Sequence, residues 1–390
     1  MSLEAYVLDI IEGRRSQPLV KALFSCLSRC YRVGVKWRHM AYDIGLFKTV
    51  AAAAPVVSVG NIVAGGTGKT PVVQMLVEAL KGDQNIAILS RGFRSKAEMY
   101  DEEVFCVSRG QGPLLSPEIC GDEPYCLAGK LAAQVWVGKD RVACAQEAVR
   151  HGAKCLILDD GMQHRRLKRD CEIVVIDAND PFGKGKFLPR GLLRDLPERL
   201  KKVDLIVANH IEDKLHYCEV QKMLAPFTLA PIVATKLCVL NSTECSNKTV
   251  GLFCGIGKPH YFQETVEELG NEIVHKWFLL DHIAPKKHEL EAFVKESLER
   301  GAEVLLCTEK DWVKLPKDFR DRSERNFTVV EEKNGSDLED FSAADISVHL
   351  CKEKSSRDES IFPSRTVKVI FVRSLTFNVL NYATKPVLLH

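Results

Sequence analysis

The chain has 390 residues, 46% of them hydrophobic and 27% charged, which is more than one ordinary domain needs and enough for a sizeable core. That composition excludes a wholly disordered, collagenous or coiled-coil chain. With 54 Lys and Arg against 52 Asp and Glu, the net charge is only +2, so a globally basic nucleic-acid binder is not indicated and only local patches remain possible.

In chain order, Glu4, Asp9 and Glu12 interrupt the region where a secretory signal would need its apolar core, so none is expected. From Gly13 to Lys48 there are eight basic residues (Arg14, Arg15, Lys21, Arg29, Arg32, Lys36, Arg38, Lys48) and one acid, Asp43. Leu19, Leu23, Leu27, Tyr31 and Val35 recur at helical spacing, which makes this a basic amphipathic helix. The residues leave two readings open: a helix packed on the domain with a solvated basic face, or an anchor on an anionic membrane surface. A mitochondrial presequence is a third, weakened by the early acids. The longest stretch without Asp, Glu, Lys or Arg, Thr49 to Gly68, gathers its glycines and polar groups at one end, so it reads as a buried strand and loop rather than a membrane helix.

From Pro55 onward short apolar strands alternate with helical runs. Pro55–Gly60, Ile86–Ser90, Val135–Val137, Cys155–Asp159, Glu172–Asp177 and Leu205–Asn209 are the strands; Pro71–Lys81 and Arg141–His151 are helices. Continuous apolar strands separated by helices predict an α/β fold with a mostly parallel sheet covered on both faces. A second set, Ile232–Thr235, Val250–Gly255, Ile273–Phe278 and Val304–Cys307, with helices near His260–Leu269 and Pro285–Arg300, predicts a smaller second α/β domain. The expected division is residues 1–48 for the basic helix, 49–225 for the core, 226–330 for the smaller domain, and 331–390 for an acidic, Ser-rich tail with one strand, Val367–Val372. Fourteen cysteines without a Cys-x-x-Cys pair, many of them in apolar runs, are expected to be reduced and structural.

The most informative stretch is Gly60-Asn61-Ile62-Val63-Ala64-Gly65-Gly66-Thr67-Gly68-Lys69-Thr70-Pro71, which follows a strand and opens a helix. That is the context of a P-loop. Gly65, Gly66, Thr67 and Gly68 let backbone N–H groups converge on a phosphate at a helix N-terminus, and Lys69 adds charge for the β- and γ-phosphates. The Thr70 hydroxyl is placed for Mg2+, and Pro71 suits the first turn. Val63 stands where the strict pattern has glycine. The distant carboxylate that a P-loop metal needs is supplied by Asp159 and Asp160, at the end of an apolar strand; turn formation by Asp-Asp-Gly is the competing reading.

The P-loop variant is followed by Ser90-Arg91-Gly92-Phe93, Gly121-Asp122-Glu123-Pro124, Val137-Gly138-Lys139-Asp140-Arg141, Asp159-Asp160-Gly161-Met162-Gln163-His164-Arg165-Arg166-Leu167, Leu188-Pro189-Arg190-Gly191-Leu192-Leu193-Arg194, Asp281-His282 and Thr308-Glu309-Lys310-Asp311. In this order, over roughly Val33 to Leu315, the set closely resembles the tetraacyldisaccharide 4′-kinase (lipid A 4′-kinase) family. The resemblance implies ATP-dependent phosphorylation of the 4′-hydroxyl of tetraacyldisaccharide 1-phosphate by a peripheral membrane enzyme whose two α/β domains close over the nucleotide. It implies Asp122 paired with His282 as the activator of the acceptor hydroxyl, Arg141 on the transferring phosphoryl group, and Gln163 and His164 with the P-loop at the nucleotide. Met162 replaces the usual Phe and Ile283 a common second histidine; His288 competes with His282 for the same role. The tail and the cysteine count suggest a eukaryotic, plant-type member and hence a mitochondrial membrane address, the alternative being the cytoplasmic face of a bacterial inner membrane.

Two basic clusters, Arg165, Arg166, Lys168, Arg169 and Lys184, Lys186, Arg190, Arg194, Arg199, Lys201, Lys202, suit an anionic sugar lipid, although charge runs are commonly solvated faces. Aromatics are not interleaved with them, so nucleic acid is not an expected partner. The competing functions are a P-loop ATPase delivering a metal or cofactor and a non-catalytic nucleotide-binding module. The intact Lys69, Thr70 and acids disfavour the module, and the absence of a guanine-specific Asn-Lys-x-Asp favours ATP.

Overall fold

In the computed structural model the described residues are 3–15, 17–80, 85–93, 95–100, 103–236, 239, 245–279, 283, 285–315, 319, 368–372 and 378–380. Two N-terminal helices, α1 (Leu3–Ile11) and α2 (Pro18–Asp43), precede the first strand. The larger sheet takes β1 (Val56–Gly60), β2 (Ile86–Ser90), β3 (Phe105–Arg109), β4 (Gln134–Val137), β5 (Cys155–Asp159), β6 (Cys171–Asp177), β7 (Leu205–Asn209) and β8 (Ile232–Lys236). A late strand, β13 (Asn378–Leu380), completes nine in the order β13-β8-β7-β6-β1-β5-β2-β4-β3. All neighbours are parallel except the two edges, β3 against β4 and β13 against β8.

The strands are apolar on both faces because both faces are covered. Ile86 and Ile88 face a cluster with Val72, Val73 and Val77 of α3 (Lys69–Ala79) and Leu127 of α5 (Asp122–Lys130). The alternate residues Ala87 and Leu89 face Val142, Ala145 and Ala148 of α6 (Arg141–Arg150). A short α4 (Pro117–Cys120) leads into α5, and α7 (Lys214–Leu224) covers the β6–β7 flank through Val220 and Leu224.

The smaller sheet is wholly parallel, in the order β10 (Glu272–Phe278), β9 (Thr249–Cys254), β11 (Val304–Thr308), β12 (Lys368–Val372). Helix α8 (Pro259–Glu268) covers one face with Phe262 and Val266, α9 (Lys287–Glu299) the other with Leu290 and Phe293, and α10 (Glu309–Trp312) follows β11.

Two expectations are corrected. Ile232–Thr235, grouped by the sequence with the smaller domain, pairs with β7, Val233 opposite Val207, so the large sheet runs past residue 225 to Lys236. An apolar strand declares burial, not which sheet buries it. The tail, expected to carry one strand, supplies two: β12 extends the small sheet beside β11 and β13 the large one beside β8. Among the described residues ten of the twelve cysteines are buried or partly buried, as the structural reading expects, whereas Cys26 and Cys30 are exposed; burial pushes Cys120, Cys126, Cys144 and Cys254 up to about 12, away from reactivity.

Candidate active site

The carboxyl ends of β1, β5, β2 and β6 meet where an open α/β sheet binds ligands. β1 hands over to the P-loop at Gly60. The loop takes positive φ at Gly65 (105°) and at Gly68 (86°), the residue that caps α3; only glycine adopts these angles at little cost. Gly65 and Gly66 are exposed with open space around them, whereas Thr67 is buried. Asn61 stitches the loop: its Nδ2 donates to Thr67 Oγ1 at 3.0 Å. From the other side Asn209, at the end of β7, donates to Thr67 O at 3.3 Å. Lys69 and Thr70 open α3 and are half-buried.

Asp159 ends β5, the strand beside β1, Asp160 begins the turn after it, and the two have opposite environments. Asp160 sits at φ 51°, an unusual left-handed position for a side-chain-bearing residue. Arg194 grips it with both terminal nitrogens, one at 2.9 Å, and also reaches Asn61 Oδ1. Lys69 Nζ lies 3.6 Å away. Burial works to raise the Asp160 carboxyl, but Lys69 and Arg194 hold it well below the carboxylate range. Asp159 is buried and accepts from Ser90 Oγ at 3.1 Å. Burial first, then Glu123 and Asp160, push its carboxyl up to about 7.

Asp122 opens α5 behind Gly121, so the glycine, not the aspartate, is the cap. Gly92, at φ 66°, turns the chain after β2 so tightly that a Cβ would meet Val137 Cγ1 at 2.5 Å and Cys120 O at 2.8 Å. This close approach brings the Ser-Arg-Gly and Gly-Asp-Glu motifs together and places the first turn of α5 near Asp159, where Glu123 acts on its charge. Arg141 is buried at the start of α6, and Nη1 donates to Gly138 O at 3.2 Å and Lys139 O at 3.3 Å. Its Nε has no partner. Gln163 Nε2 donates to Asn61 O at 3.0 Å and to Asp195 Oδ2 at 3.2 Å, while Oε1 is buried and unpaired. Burial, followed by Arg141 and Arg169, lowers His164 to about 4, so the ring is neutral; its Nε2 is buried without a partner.

His282 and Asp281 lie outside the described residues; Ile283 beside them is exposed. His288, the competitor, is exposed on α9. The Thr-Glu-Lys-Asp motif forms α10: Thr308 caps it, and Asp311 accepts from Gly255 N at 2.9 Å. That fixes Glu309 and Lys310 against α5, where Lys310 pairs with Glu123 at 3.2 Å and Glu309 with Lys130. The small sheet is thereby held beside the candidate base.

Sequence reasoning missed a second cluster. Asp177, at the end of β6, is buried among His210 Nδ1 (3.0 Å), Lys258 and Tyr261 OH (3.3 Å), and those last two come from the small-sheet side. Burial would raise its carboxyl, but bonds from His210 and Lys258 hold it below the usual range. The signal that found Asp159, an acid ending an apolar strand, was also present there.

Loops that follow β5 and β6 also anchor α2. His39 Nε2 meets Asp195 Oδ1 at 2.6 Å in a buried pair, and Arg165 bonds His39 O at 3.0 Å and Asp43 at 2.7 Å. The outward face carries Leu19, Leu23, Leu27, Val33, Trp37 and Met40, all exposed, and Ile44 just past the helix's end is exposed too; Leu19 keeps 85% of its surface. No helix among the described residues is long and apolar enough to cross a membrane.

Comparison with known proteins gives the fold and its family. A family model for tetraacyldisaccharide-1-P 4′-kinase (LpxK) matches residues 20–344. The tetraacyldisaccharide 4′-kinase of Chlamydia pneumoniae is 39% identical over 275 residues, 68% of this chain and 74% of that protein. The protein of the same name from Halothermothrix orenii is 33% identical over 344 residues, 81% of this chain and 89% of that one. The crystal structure of LpxK from Aquifex aeolicus in complex with ATP superposes with a TM-score of 0.59 at 28% identity, covering 76% of this chain and 90% of that one. The P-loop, the paired acids and the two-sheet architecture therefore stand in a family context: the chain belongs to the tetraacyldisaccharide-1-P 4′-kinase family.

Proposed function

We propose that the protein transfers the γ-phosphate of ATP to the 4′-hydroxyl of tetraacyldisaccharide 1-phosphate, giving the 1,4′-bisphosphorylated lipid of lipid A biosynthesis. The observation that carries this reading is the pairing, at one sheet end, of a P-loop with two acids of opposite character. Asp160 is locked by Arg194, and Asp159 sits buried with a carboxyl pushed up to about 7.

Roles follow from charge and placement. Lys69 and the loop amides bind the phosphates, with Gly65, Gly66, Thr67 and Gly68 leaving the backbone accessible. Gln163, bonded to Asn61 O at the start of that loop, and His164, near Arg141, each hold an unpaired buried polar atom and complete the nucleotide site. Arg141, with its own unpaired Nε, stabilises the transferring phosphoryl group. Asp122 takes the acceptor hydroxyl proton onto its carboxylate as the oxygen bonds to the γ-phosphorus and the bond to the β-phosphate oxygen breaks. His282, the partner that the family resemblance assigns to Asp122 in activating the acceptor, lies outside the described residues.

A hard divalent cation takes oxygen ligands, and the Thr70 hydroxyl with the Asp159 carboxylate offers them. Asp159, crowded by Glu123 and Asp160, suits a cation; Asp160, committed to Arg194, positions its arginine instead. Mg2+ held there would neutralise charge on the phosphate oxygens.

The exposed apolar face of α2, flanked by the exposed Arg29 and Lys36, supports docking on an anionic lipid surface that also supplies the acceptor. A mitochondrial address rests on the tail and cysteine content of the sequence; the relatives named above are bacterial.

The test is phosphotransfer by detergent-solubilised protein with ATP, Mg2+ and tetraacyldisaccharide 1-phosphate, beside Lys69→Ala. A bisphosphorylated lipid made only by the unaltered protein supports the reading. ATP hydrolysis without lipid product moves the assignment to a delivery ATPase.

A further inference from the structure

The two basic clusters of the sequence are not equally available. Arg165 is paired with Asp43 at 2.7 Å, Arg166 with Asp140 at 2.7 Å and Arg169 with Glu172 at 3.1 Å. Lys184 is paired with Asp180 at 3.3 Å, Lys202 with Asp43 at 3.6 Å, and Arg194 with Asp160. Arg199 is turned inward: burial lowers its pKa, and its Nε is enclosed near Asp195, Glu172 and Asp43. Lys168 and Lys201 lie just before β6 and β7, at the end of the sheet away from the P-loop. Two cations remain. The side chains of Lys186 and Arg190 engage no acceptor among the described residues, Lys186 being exposed and Arg190 half-buried.

Both sit on one loop whose position is fixed from two sides. Against the P-loop, Ala64 N donates to Leu192 O at 2.7 Å, Arg194 N donates to Ile62 O at 2.9 Å, and Val63 bridges Leu193. Against α2, Phe187 packs on Tyr31 with ring centroids 6.1 Å apart, and Tyr31 OH donates to Arg194 O at 3.4 Å. The loop is closed on itself, Leu193 N to Lys186 O at 2.9 Å and Arg190 N to Phe187 O at 2.9 Å, so Lys186 and Arg190 are carried on a braced backbone. It therefore spans the gap between the phosphate-binding loop and the exposed apolar helix.

We infer that this loop is the subsite for the phosphate the acceptor lipid already carries, with Arg190 as the residue that reads it and Lys186 as a supporting charge. The inference rests on the acceptor proposed above. A lipid whose acyl chains lie along α2 and whose free hydroxyl reaches the P-loop would pass its sugars over this loop, which contacts both. A sugar phosphate monoester there is a dianion, which a guanidinium can grip with two parallel N–H bonds. Of the arginines in the two basic clusters, Arg190 is the one that is neither paired with an acid nor turned inward among the described residues.

The experiment compares two acceptors in detergent, tetraacyldisaccharide 1-phosphate and the same disaccharide without the phosphate, using the full chain and its Arg190→Ala, Arg190→Lys and Lys186→Ala variants. Arg190→Ala should raise KM for the phosphorylated acceptor by roughly tenfold or more, the scale of one charge-assisted bond. It should leave the rate on the dephosphorylated acceptor unchanged, and Lys should rescue part of the loss. Binding of a fluorescent ATP analogue and of vesicles containing anionic phosphatidylglycerol should be unchanged, which separates the acceptor's phosphate from nucleotide and membrane headgroups. Equal loss on both acceptors, full retention on the phosphorylated one, or a parallel loss of vesicle binding would each overturn the assignment. If the unaltered protein phosphorylates neither acceptor, the proposed reaction itself falls, and this subsite with it.

Discussion

Replacing Asp159 by Asn should make the metal-free protein more stable at alkaline pH while abolishing turnover. The native carboxyl titrates at about 7 against 3.8 for an ordinary aspartate, because it is buried and faces Glu123 and Asp160. Between these values the folded chain holds a proton that the unfolded chain has released. This contribution to stability is therefore complete below about pH 4, falls as pH rises, and is gone above about pH 7. A gap of about three pH units at roughly 1.4 kcal/mol each gives an upper bound of about 4 kcal/mol, and relaxation around the charge brings the expectation to about 2–4 kcal/mol. Asparagine keeps an acceptor for Ser90 and carries no charge. Urea unfolding with a chelator present, run in steps from about pH 4 to pH 8, should show the Asn variant gaining on the unaltered protein as pH rises. A variant less stable at about pH 8, or a difference that does not change with pH, would refute the argument that burial strains this carboxylate.

Asp122→Ala should lower kcat by about 100-fold or more while leaving ATP affinity intact, as expected for a lost general base; near-full activity would remove that role. Cys26 and Cys30 are the two exposed cysteines among those described and share the outer face of α2, so a maleimide should modify them first. Anionic vesicles should protect both, and labelling unchanged by vesicles would count against α2 as the membrane face. Gly60→Ala puts a Cβ 2.5 Å from Met162 Cβ and 2.8 Å from its backbone nitrogen, in the turn that follows the paired acids. Overpacking there should cost about 1–3 kcal/mol in a thermal or urea melt and depress turnover as well.

The central strands were legible because burial on both faces leaves a continuous apolar run: β5, Cys155–Asp159, was read to the residue. The edges were not. β3 lies at the end of the large sheet and pairs on one side only, and its sequence Phe-Cys-Val-Ser-Arg breaks the apolar run that marked its neighbours. β8 was seen but assigned to the wrong sheet, since nothing in five residues specifies a partner. The glycine and Asp-Asp-Gly motifs survived intact because a left-handed turn or a close approach admits few residue types. What spacing could not show was that Gly92 brings two motifs over one strand end.

The basic residues make the opposite case. Counted along the chain, two clusters suggested a broad anionic site. In the fold most of those charges are already committed: Arg165 clamps α2 through Asp43, Arg169 neutralises buried Glu172, and Arg194 organises Asp160 and Asn61. An arginine paired at 2.7 Å in a half-buried setting offers little to a ligand unless its partner moves, and separating such a pair has its own cost. The charge that matters for recognition is what remains after these internal pairs are subtracted, and that remainder appears only when the acids, scattered from Asp43 to Asp195, are brought into place by the sheet. Within the two clusters, at the P-loop end of the sheet, it is narrow: one arginine and one lysine on a loop braced between the P-loop and the apolar helix. A diffuse basic surface would bind anionic lipids alike, whereas a single guanidinium so placed discriminates by position, which is what a kinase needs when it must phosphorylate one end of a lipid that already carries phosphate at the other.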